Sequence, residues 1–186
     1  RYEGDWGTLE ADAKTIIEKY GVGAPSSREI LEERDRREKL WDRLKREGGP
    51  LGVDSSLLRE LGIYQGQAGI WRDKSQTGHL TEDGSGVTVS VLHTGEAYPD
   101  DPTEEELIYH YPDTARLGRR DANEVAATKN AGRLGIPLFV ILYGENDQSS
   151  RHVYQGRVLD WNDETAEFLI RFDTDGERLE AEVAKT

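Results

Sequence analysis

The sequence predicts a mixed α+β protein, and two observations indicate this class. Apolar residues recur at helical spacing in the first quarter of the chain and again after residue 120, whereas alternating or continuous apolar runs fill much of the rest. With 186 residues, the chain is long enough for one substantial core and a small additional element. We therefore expect a twisted β-barrel or sheet flanked by helices, with a helical extension at the N-terminal end.

The helical extension consists of two predicted helices, one over residues 1–20 and one over residues 27–46. The second helix contains an unbroken run of eight charged residues at 32–39. We interpret that run as a solvated surface held by ion pairs one helical turn apart. The alternative is an arm that binds a protein partner.

The strand patterns follow a short helix that starts at Ser55 or Ser56. The run 136–143 is apolar throughout, so we expect it to be the central strand. Val87, Val89 and Val91 alternate with other residues, which predicts a strand with one buried face. The predicted strands are residues 63–73, which include Gly66 and Gly69, and residues 87–92, 107–110, 136–143, 153–161 and 166–172, the last two forming a hairpin.

The Gly48-Gly49-Pro50 turn is a predicted domain boundary. It separates a helical extension, 1–49, from a main domain, 50–172, and an acidic tail, 173–186, completes the predicted organisation. Because the sequence begins at Arg1, we also expect it to be a piece of a longer protein.

The charge distribution points to a local anion-binding surface. The net charge of −13 is unfavourable for general nucleic-acid binding, but residues 111–135 carry five basic and three acidic residues, a net charge of +2. Asp121, with Glu124 three residues later, predicts the N-cap of a helix whose N-terminus would add to an anion site. The basic residues are Arg116, Arg119, Arg120, Lys129 and Arg133.

No catalytic motif is recognisable, so the sequence favours a binding module without catalytic residues, metal or cofactor. The absence of cysteine excludes disulfides and thiolate metal sites and fits a cytoplasmic location, and no apolar run approaches transmembrane length. The four histidines do not pair at metal-ligand spacing, and the acidic stretch 96–106 has the spacing of a solvated loop. His110 is the histidine that we consider a candidate contact, because it precedes the basic segment.

Two stretches resemble known DNA-reading domains. Residues 62–70, followed by the valine-rich strand and the acidic turn 98–101, resemble the entry strand of SRA-like domains of the PUA-like superfamily. Residues 109–115, followed by 119–125, resemble more specifically the sulfur-binding domain of type IV, McrA-like restriction endonucleases. The resemblance covers about residues 55–172. It implies a reader of duplex DNA carrying phosphorothioate linkages, with any cleavage performed by an HNH nuclease domain or partner.

The resemblance also implies roles for individual residues. Tyr111, Pro112 and Ala115 would form the sulfur pocket, where apolar groups accept a weakly hydrated sulfur at little desolvation cost. The five basic residues named above would contact phosphates. Some family members have a His-Arg pair where this chain has Tyr64 and Gln65, and an amide suits adenine better than guanine. Base recognition would involve Tyr64, Gln65 and Gln67.

Three other functions compete with this interpretation. An SRA-like reader would flip and bind a modified base such as 5-methylcytosine and would not respond to backbone sulfur. A small nuclease would use the acidic residues with a divalent metal and would nick DNA by itself. A protein-interaction module would depend on the charged helix, and deletion of residues 1–48 would abolish its activity.

Overall fold

The computed structural model describes residues 27–48, 51–65, 69–93, 101–102, 106–112, 120–143 and 150–173, with only the backbone at 101, 102 and 120. The predicted helix 1–20, most of the acidic loop and the tail beyond 173 lie outside these ranges. Four α-helices are described: α1 (Ser27–Glu47), α2 (Ser55–Glu60), α3 (Lys74–Thr77) and α4 (Arg120–Leu134). The strands are β1 (Leu51–Asp54), β2 (Ile70–Trp71), β3 (Ser90–His93), β4 (Asp101–Pro102), β5 (Glu106–His110), β6 (Leu138–Tyr143), β7 (Ser150–Asn162) and β8 (Glu167–Phe172).

All eight strands belong to one sheet, which confirms the mixed α+β class. Seven strands follow the order β2-β3-β6-β7-β8-β5-β4, and β1 pairs with the start of β7. β3 and β6 are parallel, and the other pairs are antiparallel. Within the described ranges, β2 and β4 end the order without pairing with each other, so the sheet is open rather than closed into a barrel.

The open sheet is strongly curved. The Tyr109 hydroxyl on β5 donates a hydrogen bond to the Leu92 carbonyl on β3 at 3.1 Å. Four strand spacings, about 19 Å, would separate these strands in a flat sheet, far beyond the reach of one tyrosine side chain. A side chain at Gly69 would collide with the same hydroxyl, so this glycine provides the close backbone approach that a glycine inside a predicted strand suggests.

Two apolar cores result, one on each side of the sheet. The first draws on six strands, and the second joins the sheet to α1 and α2. The first core contains Ile70, Val91, Leu107, Val140, Val158 and Phe168, with Ala131 from α4. The second contains Trp41 and Leu44 from α1, Leu58 from α2, and Val53, Phe139 and Val153. The division of the chain near residue 49 stays a prediction, but α1 shares a core with the strands.

The charged run of α1 is not a uniformly solvated surface, and that interpretation was wrong for two of its residues. Exposed ion pairs one turn apart do occur, such as Lys39 with Asp35 at 2.8 Å. Arg37, however, is fully buried and Glu33 is 7% exposed. The Arg37 guanidinium bonds to Glu33 Oε1 at 2.8 Å and donates to the carbonyls of Thr88 and Pro137 at 2.7 and 2.8 Å.

The first predicted strand is much shorter than expected, because residues 63–65 follow the end of α2 instead of extending. The Ile63 amide donates to Leu58 O at 2.9 Å, and the Ser90 hydroxyl donates to Ile63 O at 2.7 Å. The valine-rich segment is buried on both faces, not one, since Thr88 and Ser90 are also fully buried. The reason is that Thr88 Oγ1 lies 2.8 Å from Thr128 Oγ1 of α4, so a helix covers the expected polar face.

The remaining predicted elements are present with small shifts at their ends. β6 lies inside the sheet between β3 and β7, but the prediction that it is the central strand was wrong, because β7 occupies the middle of the order. The predicted hairpin is β7 and β8. Helix α4 begins at Arg120, so Asp121 lies in its first turn rather than at the cap. None of the described helices combines the length and apolarity needed to span a bilayer.

Candidate anion-binding site

The β7–β8 turn positions one face of the candidate site. The Asn162 side-chain oxygen accepts hydrogen bonds from the Glu164 and Thr165 amides at 2.9 and 3.2 Å, an arrangement by which asparagine stabilises tight turns. Ala166 adopts a left-handed conformation with φ 56°, and its carbonyl accepts a bond from the Tyr111 amide at 2.8 Å. These bonds leave Asp163 at the tip of the turn, beside Tyr111.

Asp163 is the point where a predicted pocket residue and a predicted phosphate contact meet. Its Oδ1 lies 2.8 Å from the ammonium of Lys129 and accepts a 2.8 Å hydrogen bond from the Tyr111 hydroxyl. The Asp163 side chain is 65% exposed, whereas that of Lys129 is 17% exposed. The hydrogen bonds from Lys129 and then Tyr111 hold the pKa of Asp163 below its usual value.

Trp161 forms the second part of the site, with two cations near its ring. The Lys129 ammonium lies 5.8 Å from the ring centroid and the Arg133 guanidinium carbon 5.1 Å from it. Cations at such distances are attracted by the aromatic face. Since Lys129 and Arg133 are four residues apart on α4, both side chains project from the same face of the helix.

A glycine on α4 permits this close arrangement. A Cβ at Gly132 would lie 3.0 Å from the Val158 carbonyl and 3.3 Å from a Trp161 ring carbon. A side chain at this position would press on the Val158 carbonyl and the Trp161 ring, so glycine suits the close approach of the helix to β7. The Tyr111 ring is held by a different contact. Its centroid lies 4.4 Å from that of Phe168 in the first core, with the two rings tilted by 40°.

The structure brings three of the predicted site residues together, namely Tyr111, Lys129 and Arg133. Pro112 follows Tyr111 and is half-buried. His110 lies next to them on β5, opposite Glu167 of β8. Ala115, Arg116, Arg119 and Gln67 lie outside the described residues, and Arg120 is described only as the first backbone position of α4.

Tyr64 and Gln65 belong to a different part of the molecule. Gln65 donates to the Arg59 carbonyl at 3.2 Å. Burial raises the pKa of Tyr64, and Tyr143 adds to this effect. The Arg151 guanidinium carbon lies 4.0 Å from the centroid of the Tyr143 ring. These two residues pair where the end of β6 meets the start of β7. About ten residues of extended chain, roughly 33 Å, separate this end of β7 from Trp161. Tyr64 and Gln65 are thus not adjacent to Tyr111, and the third predicted base contact, Gln67, lies outside the described residues.

Sequence reasoning missed Trp161 and Asp163, which it read only as the end of a strand and a turn. An aromatic residue directly before a polar turn was the available signal for Trp161. No local signal existed for Asp163, because its partner Tyr111 is 52 residues away in the chain. Within the described ranges, no group of three histidine, aspartate or glutamate residues could hold a metal ion.

Together, these side chains offer the groups with which proteins bind anions. An ammonium, a guanidinium and a phenolic hydroxyl supply charge and hydrogen-bond donors, and an indole ring supplies an apolar surface. Such a combination suits a phosphate group whose neighbours include an apolar or stackable moiety.

Comparison with known proteins gives only distant similarity. No family model and no curated protein matches the chain. One similar solved structure is the SRA domain of SUVH5 in complex with fully methylated CG DNA, at 21% identity and a TM-score of 0.46, covering 67% of this chain and 88% of that one. Another is the modification-dependent restriction endonuclease TagI, at 18% identity and a TM-score of 0.47, covering 66% of this chain and 48% of that one. Since TM-scores below 0.5 do not establish a common fold, the function has to be inferred from the chain's own residues.

Proposed function

We propose that the chain is a binding module that reads modified duplex DNA, with the phosphorothioate linkage as its ligand. The observation that carries this proposal is the meeting of Tyr111, Lys129 and Arg133 in one site. The sequence resemblance assigns Tyr111 to the sulfur pocket, whereas the charges of Lys129 and Arg133 suit them to the phosphate. Their proximity is what a combined sulfur and phosphate site requires.

The chemistry of the site fits a sulfurised phosphate. Sulfur is larger and less strongly hydrated than oxygen, so the Tyr111 ring and the Pro112 pyrrolidine, with Ala115, would accept it at lower desolvation cost. The phosphorothioate keeps its negative charge, which Lys129 and Arg133 would balance. Arg116, Arg119 and Arg120 would extend these phosphate contacts along the strand.

The overall acidity of the chain is consistent with this proposal. A net charge of −13 opposes the approach of any polyanion, and only the local basic residues favour it. Ordinary DNA would bind weakly, and the sulfur would supply the additional affinity. Cleavage would belong to an HNH nuclease domain or partner.

Base recognition by Tyr64, Gln65 and Gln67 remains part of the proposal. A duplex that contacted both this group and Trp161 would span up to about ten base pairs, at 3.4 Å per step. Shortening the duplex below that length would then reduce sequence preference before it reduced sulfur recognition.

The proposal is tested by fluorescence-anisotropy titration of short duplexes. The ligands are duplexes with each separated phosphorothioate diastereomer, an unmodified duplex and a 5-methylcytosine duplex. We expect tight binding to one sulfur diastereomer alone. Equal binding to all four would discard the sulfur pocket, and preference for the methylated duplex would favour a base-flipping reader instead.

A matched pair of lysine variants tests the phosphate contact. Lys129 and Lys39 each lie 2.8 Å from an aspartate oxygen, but on different surfaces. Lys129→Met should weaken binding of every duplex and lower the slope of log affinity against log salt by about one. Lys39→Met should leave both quantities unchanged. If the two variants behave alike, Lys129 is not a phosphate contact.

A further inference from the structure

We infer that Asp163 is a built-in competitor for the DNA phosphate. Its carboxylate occupies the position at Lys129 and Tyr111 that a phosphate oxygen would take, so a ligand must displace it to bind. This inference rests on the proposed function, because it identifies the displaced group at the same site. It adds a residue that sets the affinity threshold for DNA without contacting DNA in the bound state.

The first support is that two donors converge on one oxygen. The Lys129 ammonium and the Tyr111 hydroxyl both reach Asp163 Oδ1 at 2.8 Å. A carboxylate oxygen and a phosphate oxygen make the same demand on these donors, namely one negative acceptor at hydrogen-bond distance. The donors that the ligand needs are therefore already arranged around an anion belonging to the protein.

The second support is that Asp163 can leave without disrupting the turn. The turn is held by the Asn162 side chain and by the bond between Ala166 and Tyr111, not by the Asp163 side chain. The Asp163 side chain is 65% exposed. An exposed ion pair contributes little to stability, so the carboxylate can rotate into solvent at small cost.

The consequence of this competition is a lower affinity for every duplex, without a change in the preference for sulfurised over ordinary DNA. Displacement of Asp163 costs the same free energy whichever duplex binds, so it lowers the affinities for ordinary and sulfurised DNA by the same factor. Ordinary DNA, which starts weaker, would then stay unbound at protein concentrations at which sulfurised DNA binds. Arg133 is not engaged by Asp163 at hydrogen-bond distance, and it would provide the initial attraction.

A purely structural role for Asp163 predicts the opposite sign. If the carboxylate served to hold Lys129 and Tyr111 in place for the ligand, its removal would disorder both donors and weaken DNA binding. The competitor role predicts that removal strengthens binding. The direction of a single affinity change thus separates the two.

The test compares Asp163→Asn with Glu164→Gln. Both residues lie in the same turn and are exposed, and both substitutions remove one negative charge. Glu164 provides a matched control because only its backbone amide contributes to the turn through Asn162. The ligand is a short unmodified duplex, titrated by anisotropy at several salt concentrations.

We expect Asp163→Asn to tighten binding about threefold to fivefold, since Lys129 no longer has to exchange an ion pair. The salt slope should stay nearly the same, because Lys129 neutralises one phosphate in both proteins and the displaced carboxylate adds no phosphate contact. Glu164→Gln should tighten binding by less than about twofold, through general charge alone. Equal effects of the two substitutions, or weaker binding by Asp163→Asn, would overturn the inference.

A second measurement separates this inference from the proposed function. Inorganic phosphate is titrated into both variants while the indole N–H signal of Trp161, assigned with Trp161→Phe, is followed by NMR. We expect the signal to move at lower phosphate concentration in Asp163→Asn than in Glu164→Gln. If wild-type protein fails to distinguish sulfurised from ordinary DNA but this difference persists, only the proposed function fails. If the two variants respond equally to phosphate, the competitor is disproved whatever DNA the chain binds.

Discussion

Two ion pairs of this molecule, one within α1 and one between α4 and the β7–β8 turn, differ mainly in their access to water. In the first, Arg37 of α1 bonds to Glu33 and reaches backbone carbonyls of the sheet region. In the second, Lys129 of α4 bonds to Asp163 at the tip of the β7–β8 turn. The same chemistry, a cation held by a carboxylate, serves different purposes in the two places.

The first pair has all its partners inside the protein. Arg37 is fully buried, and besides Glu33 it donates to the carbonyls of Thr88, Pro137 and, at 3.3 Å, Val87. Burial alone would raise the pKa of Glu33, but the hydrogen bonds and charges of Arg36 and Arg37 outweigh it and hold that pKa below its usual value. No ligand can exchange with such a group, so the pair is structural.

The second pair is open to exchange because its carboxylate faces solvent. The Asp163 side chain is mostly exposed, so its carboxylate keeps its access to water when it leaves Lys129. A phosphate can therefore take its place. The comparison teaches that burial, and not the type of residue, decides whether an ion pair fixes the fold or can serve binding.

The largest effect should come from breaking the buried pair. Arg37→Met would leave the buried carbonyls of Thr88 and Pro137 without this donor, and Glu33 would keep Arg36 as its cationic partner among the described residues. We expect the free energy of unfolding to fall by about 3–5 kcal/mol, the usual cost of removing one partner of a buried ion pair. Urea unfolding followed by circular dichroism measures it.

Lys39→Met on the same helix is the control, because its pair with Asp35 is exposed. It should leave the free energy of unfolding nearly unchanged, because an exposed ion pair contributes little to stability. Comparable losses for the two substitutions would contradict the distinction between the pairs.

A smaller effect is expected where α4 approaches β7. Gly132→Ala would place a Cβ 3.0 Å from the Val158 carbonyl. Overpacking of this kind costs about 1–3 kcal/mol, and the helix propensity of alanine offsets up to about 1 kcal/mol of it. The free energy of unfolding should therefore fall by roughly 1 kcal/mol.

Ala126→Gly, in the middle of the same helix, reports the propensity difference between the two residues. Ala126→Gly should also lower the free energy of unfolding. Replacing glycine by alanine at 132 and alanine by glycine at 126 would then both destabilise the protein. If Gly132→Ala instead stabilises the protein, α4 can move far enough from β7 to accommodate a methyl group, and the contact at Gly132 is not tight.

The smallest effect should be the pH dependence of the exposed pair. The pKa of Asp163 is lower in the folded protein than in the unfolded chain. Its contribution is therefore present above the unfolded pKa, near 3.9, and is lost as the pH falls through the folded pKa. The difference in unfolding free energy between wild type and Asp163→Asn should be at most about 1 kcal/mol at pH 7 and should vanish at the acid end.

Carboxyl NMR provides the direct check on that pH dependence. In Lys129→Met, the titration midpoint of Asp163 should move up toward the ordinary value for an aspartate. An unchanged midpoint would mean that Lys129 is not the main cause of the lowered pKa.

Periodic patterns in the sequence determined most of the framework. The stripe of α1 that faces the core is Ile30, Glu33, Arg37, Trp41 and Leu44, and its three apolar members were visible at helical spacing. The apolar run that became β6 and the turn between β7 and β8 were equally evident. Such patterns are local, because helix and strand periods depend on neighbouring residues alone.

The charged members of that stripe were not visible in the same way. Glu33 and Arg37 lie within a run of eight charged residues, where nothing distinguishes a buried position from an exposed one. Burial of Arg37 depends on carbonyls 51 and 100 residues further along the chain. Hydrophobic periodicity cannot report such partners, because it treats every charged residue as solvated.

The candidate site likewise has one part that local sequence patterns indicate and another part that depends on long-range contacts. The sequence by itself determined that Tyr111, Lys129 and Arg133 lie in the basic part of an acidic chain. Only the tertiary structure decided that these three meet, that Trp161 lies beside the two cations, and that Asp163 joins Lys129 to Tyr111. The physical reason is that contacts between distant residues follow from how α4 packs on the sheet, and that packing depends on all the elements at once.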